Sequence, residues 1–288
     1  MPSMMLFDGF EPSRSAALRR FEDFLPRAGR LYALWRNHDR GPEREGAVSG
    51  LSPYLRHRTL TEPEVLSAVL SRHGAEAGGK FIEEVFWRTY WKGWLERRPG
   101  VWDQYLAQLA RDRDDLATQE GLRLRFEDAC LGRTGIACFD AWATELVDTG
   151  FLHNHARMWF ASIWIFTLRL PWALGADLFL RHLLDGDPAS NTLSWRWVGG
   201  LQTPGKIYLA RPENIAKYTE GRFVPGESEL AREAQPLEGP PLPEARPAPV
   251  ALPVDPDAPT ALVLHQEDLS PDWLWDDLGL APRATAVL

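Results

Sequence analysis

The distribution of proline divides this chain into a part that can form long helices and a part that cannot. Ten of the 23 prolines fall between Pro225 and Pro259, mixed with Ala and Glu. Proline fixes its backbone angle φ and has no amide hydrogen to donate, so such a stretch can neither continue a helix nor occupy the centre of a sheet. We expect 224–259 to be an extended, acidic linker that follows a folded domain over 1–223.

Before this linker, apolar residues recur at the three- and four-residue spacing that is typical of helices. The clearest case is 80–95, which contains six aromatic residues. Thr61 followed by Pro63 is typical of a helix start. The same periodicity predicts helices over 13–25, 139–147, 154–168 and 176–184. Because strand-like alternation is nearly absent before residue 200, the expected fold class is mainly α, an all-helical domain.

The residues after the linker have a different pattern. Apolar runs predict short strands over 260–264 and 284–288, and Ser270 with Pro271 predicts a helix over 270–278 between them. A single strand, helix and strand cannot bury their apolar faces alone. We expect 260–288 either to dock on the helical domain or to be an incomplete α/β segment of a longer chain.

The net charge of −8 would by itself argue against a nucleic-acid partner, because nucleic-acid-binding proteins are usually basic. The acidic excess lies in the tail, however. The stretch 223–288 has three Arg and twelve acidic residues, whereas 1–222 has 29 basic and 28 acidic residues. The nearly neutral body therefore leaves room for a local basic face.

Cysteine content and hydropathy limit the class of protein further. Cys130 and Cys138 are too few for a disulfide scaffold or for an iron–sulfur cluster held by four thiolates. No stretch of about twenty apolar residues predicts a membrane helix, and the first ten residues lack the features of a signal peptide. We expect a monomeric, cytoplasmic protein without a membrane or a metal partner.

Four short motifs place charged or amide side chains beside aromatic and small residues, where a core would not tolerate them unpaired. Glu84, Trp87 and Arg88, for example, share one side of a helix through their spacing of three and four. Taken singly, each motif is compatible with a structural role. In chain order they are Ser49-Gly-Leu-Ser-Pro-Tyr-Leu55, Glu84-Val-Phe-Trp-Arg88, Thr149-Gly-Phe-Leu-His-Asn-His-Ala-Arg-Met158, and Asp185-Gly-Asp-Pro-Ala-Ser-Asn191 followed by Trp195-Arg-Trp197.

The order and spacing of these motifs resemble those of the DNA photolyase/cryptochrome family, over roughly 10–223. The resemblance implies the helical FAD-binding domain of that family, with no room for its N-terminal α/β antenna domain. It also implies an activity, the light-driven repair of cyclobutane pyrimidine dimers in DNA by electron transfer from reduced FAD. The partner would then be DNA that contains such dimers, and the enzyme class a carbon–carbon lyase.

The resemblance further implies which residues bind FAD. Ser49, Leu51 and Ser52 would contact its phosphates at a loop that opens a helix, although Gly50 stands where many relatives have Arg. Arg157 and Asp185 would form an ion pair over the isoalloxazine, because desolvated charges require a partner. The full implied set is Tyr32, Ser49, Gly50, Leu51, Ser52, Arg88, Asn154, Arg157, Asp185, Asp187 and Asn191, with Asn191 facing flavin N5.

Catalytic and substrate-binding roles follow from the same resemblance. The implied catalytic residues are Glu84, Asn154, Met158, Trp172 and Trp195, and the implied dimer contacts are Glu84, Trp87, Met158 and Trp197. Trp195 and Trp172 match the inner and middle members of the family's tryptophan chain for flavin reduction. The outer position holds Gln119. Trp142, Trp159 and Trp164 are candidate replacements, although core packing is the simpler interpretation of each.

Two alternatives to a repair enzyme stay open. A non-catalytic, cryptochrome-like blue-light receptor that signals through its C-terminal tail is favoured by the acidic linker, by Gly50 and by Gln119. The other is a fragment that binds flavin poorly because a partner domain is absent. Repair of dimer-containing DNA, or its absence in flavin-loaded protein, separates these hypotheses.

Overall fold

Helices dominate the computed structural model, which describes residues 10–42, 48–248, 250, 253, 255, 258–271, 279 and 282–288. The helices are α1 Arg14–Phe24, α2 Arg30–Trp35, α3 Ser52–Arg56, α4 Glu62–Glu96, α5 Gly100–Thr118, α6 Glu120–Cys130, α7 Ala137–Thr149, α8 Asn154–Ser162, α9 Trp172–His182, α10 Pro188–Val198 and α11 Pro212–Tyr218, and the strands are β1 Ala261–Leu264 and β2 Ala284–Val287. A 3-10 turn follows α1 and a π-helical turn follows α8. The predicted mainly α class is confirmed.

Most predicted helices differ from the observed ones only at their ends. The prediction for 176–184 is displaced, because α9 begins directly after Pro171, whose extended backbone (ψ 128°) sets the start of the helix. Sequence periodicity does not predict α5 or α6. In α5 the buried positions Val101, Tyr105 and Leu109 recur every four residues, but the next one is the carboxylate Asp112, which interrupts the apolar pattern.

Helix α4 joins two segments that the sequence pattern treats separately. Gly74 interrupts the helix with a φ of 71°, a conformation that glycine adopts without the strain it would impose on other residues. At the N-terminal end, Glu64 Oε2 accepts a hydrogen bond from the Thr61 amide at 2.9 Å. This contact satisfies an amide at the start of the helix, and α4 begins where the sequence predicts.

The described residues divide into two compact units. The large unit comprises Leu34–Val48 and Phe86–Arg246, and the small unit comprises Phe10–Ala33, Ser49–Val85 and Pro247–Leu288. Aromatic residues fill the core of the large unit, where Trp142, Trp159 and Trp164 are completely buried. Each of the three indole N–H groups donates a hydrogen bond, to Asp39 Oδ2, Asn214 Oδ1 and the Pro171 carbonyl respectively.

Asp39 connects the start of the large unit to its later helices. This carboxylate is 2% exposed and accepts hydrogen bonds from Trp142 Nε1 at 3.0 Å and Arg222 Nη2 at 2.6 Å. Burial and the negative charge of Asp39 raise the pKa of Glu145 from 4.5 to about 8. Two carboxyl groups that share a buried region favour protonation of one of them.

The C-terminal residues of the small unit dock on the end of α3. His57 Nδ1 lies 2.7 Å from the Gln266 carbonyl, and Arg58 Nη1 lies 2.7 Å from Asp268 Oδ2. Strands β1 and β2 pair in parallel, with Ala261 opposite Ala284. Of the two expectations for this segment, docking is therefore observed. The helix predicted over 270–278 falls almost wholly outside the described residues.

The proline-rich stretch is extended, but its first part is not a free linker. Over 224–248 the structure has neither helix nor strand, as the prolines predict. Leu230 is nevertheless buried in the core of the large unit, and the Arg246 amide donates to the Arg97 carbonyl at 2.7 Å. This part of the chain therefore packs along the large unit. The domain boundaries at 223 and 259 stay a prediction.

Candidate functional site

A buried network of ion pairs unites residues from three of the four motifs. Arg157 Nη1 lies 3.1 Å from Asp185 Oδ1, and Arg88 reaches Asp187 Oδ2 at 3.1 Å and Asp185 Oδ2 at 3.6 Å. Asp185 is 5% exposed and Asp187 2% exposed. The predicted pair between Arg157 and Asp185 is thus present, and Arg88 joins it to the second carboxylate.

The turn between α9 and α10 places the two carboxylates. A side chain at Gly186 would collide with the carbonyl oxygens of Leu180 and Leu183, so this close approach requires glycine. Asp187 caps α10, where its Oδ1 accepts a hydrogen bond from the Ser190 amide at 2.7 Å. One oxygen of Asp187 therefore fixes the helix start while the other faces Arg88.

The buried side of α10 presents polar atoms beside this network. Asn191 is 8% exposed, and its Nδ2 donates to the Ala176 carbonyl at 2.7 Å, which fixes the orientation of the amide. Thr192 Oγ1 and Trp195 Nε1 are buried without a hydrogen-bond partner among the described residues. Buried polar atoms normally have partners, so these two atoms retain unused hydrogen-bonding capacity.

The two tryptophans implied in electron transfer have different surroundings. Trp195 is buried with its ring edge-on to Phe179 at 5.1 Å, and a side chain at Gly175 would collide with it. Trp172 is half-buried at the start of α9, 5.7 Å from the Tyr105 ring. Gln119 lies exposed at the N-cap of α6. The electron-transfer roles stay predictions, and the burial of Trp142, Trp159 and Trp164 agrees with their interpretation as core residues.

The residues implied in lesion binding are partly accessible. Trp87 is 50% exposed on α4, and Trp197 on α10 stacks on Tyr208 with ring centroids 5.6 Å apart. Met158 is half-buried on α8, whereas Asn154, the first residue of that helix, is exposed. Glu84 is half-buried, one turn before Arg88 on α4. Their joint contact with a lesion stays a prediction.

The remaining implied FAD contacts lie in the small unit. Gly50 has a φ of 63°, a left-handed conformation that favours glycine. Ser49 Oγ accepts from the Leu51 amide at 3.3 Å, and Ser52 begins α3. Tyr32 packs against Phe24 and Phe81 in the core. The cofactor roles of Tyr32 and of 49–52 stay predictions.

Sequence reasoning missed two neighbours of the candidate site. Lys92 Nζ lies 3.9 Å from Asp187 Oδ2. Because Lys92 follows Arg88 by four residues on the same helix, spacing alone could have identified it. Tyr208, which supports Trp197, belongs to no motif and left no signal in the sequence.

Two histidines at the start of α8, His153 and His155, have structural roles. The sequence suggests that His155 is a solvated or capping residue, but its ring stacks on Trp159 at 4.2 Å and its Nδ1 lies 3.0 Å from the Asn37 carbonyl. The cap is His153, whose Nδ1 accepts from the His155 amide. Burial lowers the pKa of His153 to about 4, so its imidazole is neutral at physiological pH.

In the part of the chain that the structure describes, no helix is both long and apolar enough to cross a membrane. Within the same described residues, no group of three or more His, Cys, Asp or Glu side chains is placed to hold a metal ion.

Comparison with known proteins agrees with this geometry. Residues 81–221 match the model of the FAD binding domain of DNA photolyase. The chain is 36% identical over 205 residues to a deoxyribodipyrimidine photo-lyase of Thermus thermophilus, covering 69% of this chain and 45% of that protein. It is 34% identical over 158 residues to a deoxyribodipyrimidine photo-lyase of Streptomyces griseus, covering 54% of this chain and 33% of that protein.

Solved structures show the same fold. A class III photolyase from Agrobacterium tumefaciens superposes with a TM-score of 0.61 at 28% identity, covering 74% of this chain and 44% of that chain. A Synechocystis cryptochrome, at 24% identity, has a TM-score of 0.60 with the same coverage of both chains, and shows the fold alone. The chain spans less than half the length of these relatives. Through its FAD-binding domain, the chain belongs to the DNA photolyase/cryptochrome family.

Proposed function

We propose that this chain repairs cyclobutane pyrimidine dimers in DNA by light-driven electron transfer from reduced FAD. The observation that carries the proposal is the convergence of Arg88, Arg157, Asp185 and Asp187 in one buried network. These residues come from three separate motifs, and the helix that supplies Arg88 also carries Glu84 and Trp87. The names of the similar proteins from Thermus thermophilus and Streptomyces griseus support the same activity.

The residues of the network suit a flavin. An isoalloxazine has a polar, hydrogen-bonding edge, and its neighbours in a protein must combine charge with neutral donors and acceptors. Here Arg157 and Asp185 supply paired charges, Asn191 supplies a fixed amide, and the buried Thr192 Oγ1 retains hydrogen-bonding capacity. We assign Arg88, Arg157, Asp185, Asp187 and Asn191 to FAD. Bound, reduced FAD would supply the electron that opens the cyclobutane ring.

The protein's own part is to hold charge and exclude water around the reacting groups. Because Arg157 and Asp185 attract each other, their pairing offsets much of the desolvation penalty of burying the two charges. The Asn191 amide carries no charge, so it can face a flavin without adding to its negative charge. The hydrogen bond to the Ala176 carbonyl prevents that amide from rotating.

On the substrate side, Trp87 and Trp197 would stack on the two pyrimidines, and Glu84 would hydrogen-bond to them. An enzyme that acts on a base must extract it from the helix. Stacking on aromatic side chains then replaces the stacking on neighbouring bases that is lost. Tyr208 stacks on the Trp197 ring and limits its movement. Met158 would supply an apolar contact, as its half-buried position on α8 allows.

Binding in the dark tests the substrate assignment. Flavin-loaded protein should bind an oligonucleotide with one thymine dimer more tightly than the same undamaged oligonucleotide. Trp87→Ala and Trp197→Ala should each reduce that preference by roughly tenfold, because each removes one stacked ring. Equal affinity of the wild-type protein for both oligonucleotides would contradict the proposal.

A second candidate, a blue-light receptor, is favoured by the docked C-terminal segment. In the small unit Arg56 pairs with Glu267 at 2.6 Å and Arg58 with Asp268 at 2.7 Å, so two ion pairs hold this segment at the end of α3. A receptor would release such a segment on illumination. Protease digestion of 247–288 that is faster in blue light than in the dark would support a receptor, and identical digestion would count against it.

A further inference from the structure

The route that the family resemblance implies for electrons ends before a residue that can exchange them with solution. The outer position holds Gln119, an exposed amide at the N-cap of α6. Trp195 packs on α9 at Gly175, where an added side chain would collide with the indole ring. Trp172 lies three residues earlier on the same helix. The implied route therefore reaches α9, and its outer member has to come from another element.

Two aromatic residues of α5 continue this route. The Tyr105 ring lies 5.7 Å from the Trp172 ring, and the Trp102 ring lies 5.1 Å from the Tyr105 ring, between centroids. These separations are typical of aromatic rings in contact. A spacing of three residues places Trp102 and Tyr105 on the same side of α5. Trp172, Tyr105 and Trp102 therefore form a continuous row, which we call the aromatic row.

The residues of the aromatic row differ in their access to water. Tyr105 is 1% exposed, and its hydroxyl has no hydrogen-bond partner among the described residues. Burial and the negative charge of Asp177 raise the pKa of Tyr105. Because an oxidised tyrosine must release its hydroxyl proton, Tyr105 is a poor place for the oxidation to stop. Trp102 is half-buried at the edge of the core, where water can accept its indole proton.

The buried tryptophans of the core do not offer such an end point. Trp164 contacts Trp195 with centroids 6.1 Å apart, but it is completely buried and donates its indole N–H to the Pro171 carbonyl at 2.9 Å. Trp142 and Trp159 stack on each other at 5.5 Å and are equally buried. An oxidised indole at any of these positions could neither release its proton to water nor meet a reductant.

We propose that Trp102 is the outer member of the electron route to FAD, and that Tyr105 is the bridge between Trp102 and Trp172. After light absorption, Trp195 gives one electron to the flavin, Trp172 restores Trp195, and Trp102 restores Trp172 across the Tyr105 ring. A thiol in solution then gives its electron to Trp102. Two such events oxidise two thiols to one disulfide, add two electrons and one proton to FAD, and release one proton to water.

This inference rests on the proposed function only in placing FAD beside α10, and it does not require repair. Charge on Trp102 is farther from the flavin than charge on Trp172, and electron transfer slows with distance. The outer residue therefore gives a thiol more time to react before the electron returns.

Reduction of bound FAD in light tests the route. FAD-loaded full-length protein is illuminated with blue light in the presence of dithiothreitol, and the absorbance of oxidised flavin is followed. Trp102→Phe should slow its loss by roughly tenfold, since the electron returns from the flavin before the thiol reacts. Tyr105→Phe should change the rate little, because the bridging ring remains. Trp102→Tyr should restore much of the rate, because a ring that can be oxidised again faces water.

Trp35→Phe is the matched control. Trp35 is a half-buried tryptophan of the same unit, and its ring lies 4.9 Å from the His38 ring and 4.8 Å from the Arg40 guanidinium. This variant should be reduced in light at the wild-type rate. An unchanged melting temperature and FAD content in every variant would show that slow reduction does not come from a loss of fold.

The position of the oxidised residue provides a second readout. A nitroso spin trap that is present during illumination without a thiol should form an adduct on Trp102, and mass spectrometry of the peptides locates it. The Trp102→Phe variant should lack this adduct. An adduct on Trp172 or Tyr105 of the wild-type protein, with none on Trp102, would show that the route ends there instead.

Three rate measurements would also overturn the inference. They are a wild-type rate for Trp102→Phe, equal slowing by Trp35→Phe, and equal slowing by Tyr105→Phe, which would make Tyr105 the end of the route. Repair by chemically reduced protein should be the same in all these variants. If reduction in light depends on Trp102 but no dimer is repaired, only the proposed function fails. If dimers are repaired and reduction does not depend on Trp102, only this inference fails.

Discussion

Arg157 and Asp185 form an ion pair in which both carboxylate oxygens lie 3.1 Å from the same guanidinium nitrogen, Nη1. The two residues are unequally buried, since the Asp185 side chain is 5% exposed and the Arg157 side chain 23% exposed. Arg157 is also fixed by the hydrogen bond from its Nε to the Leu152 carbonyl at 2.9 Å. Because the two side chains are unequally buried, removing one or the other should lower the free energy of unfolding by different amounts.

Removing the cation should therefore cost more stability than removing the anion. Arg157→Leu leaves a buried carboxylate that still pairs with Arg88, but at the longer distance of 3.6 Å. We expect this substitution to lower the free energy of unfolding by about 3 kcal/mol. Asp185→Asn leaves Arg157, which water can reach, and should cost about half as much. Urea unfolding of both flavin-free variants measures the difference, and a larger loss for Asp185→Asn would contradict this interpretation.

Glu84 should matter more for the reaction than for binding. A hydrogen bond that a protonated Glu84 carboxyl donates to the pyrimidines strengthens as negative charge develops on them, so it stabilises the reacting state more than the bound lesion. We expect Glu84→Ala to lower the repair yield per bound lesion by roughly tenfold, with a smaller loss in dark affinity. Glu84→Gln keeps a hydrogen-bond donor and should retain part of the yield. Equal losses in yield and affinity would refute the assignment.

Trp195 should be needed to reduce the flavin in light but not to use a flavin that is already reduced. We expect Trp195→Phe to slow blue-light reduction of bound FAD by a thiol at least about tenfold, while repair by dithionite-reduced protein persists. Trp164→Phe is the matched control, because Trp164 is an equally buried neighbour 6.1 Å away that we assign to the core alone. Loss of repair by the pre-reduced Trp195→Phe protein would make Trp195 structural.

Stability should fall as pH rises through the neutral range because of Glu145. Its pKa is about 8 in the folded protein and 4.5 ordinarily, so the folded state binds more protons than the unfolded state between these values. The contribution of Glu145 to the free energy of unfolding is therefore fully present below pH 4.5, and it is lost progressively as the pH rises to about 8.

Glu145→Gln should remove that dependence. His153, whose pKa is lowered from 6.5 to about 4, affects both proteins alike, so its effect cancels when they are compared between pH 6.5 and 8. We expect the advantage of Glu145→Gln over the wild-type protein in urea unfolding to grow with pH across this window. Parallel pH profiles of the two proteins would show that Glu145 ionises normally.

The motif residues could be found from the sequence because their chemistry and spacing are local. Arg157 and Asp185 belong to motifs whose resemblance to a known family implies a pair, and the structure brings them within 3.1 Å. Gly50 is different. Its residue type stands out in the sequence, but its left-handed backbone is visible only in the structure.

Long-range contacts could not be predicted. Asp39 and Trp142 are 103 positions apart, and nothing in either segment indicates their hydrogen bond. Similarly, the apolar run Ile163–Thr167 has no period that distinguishes a π-helical turn from an ordinary helix. The prolines of 224–248 predict extended backbone, yet only packing shows that Leu230 enters the core. Tertiary contacts decide these features, and a single sequence does not contain them.

Light-dependent repair by the full chain tests the proposed function most directly. Protein loaded with reduced FAD is mixed with an oligonucleotide that carries one thymine dimer, and intact thymines are counted after blue light and after an equal time in the dark. We expect dimers to disappear only in the light and over many turnovers per protein molecule. Unchanged dimers after illumination, in protein whose spectrum shows bound and reduced FAD, would contradict the assignment of this chain as a repair enzyme.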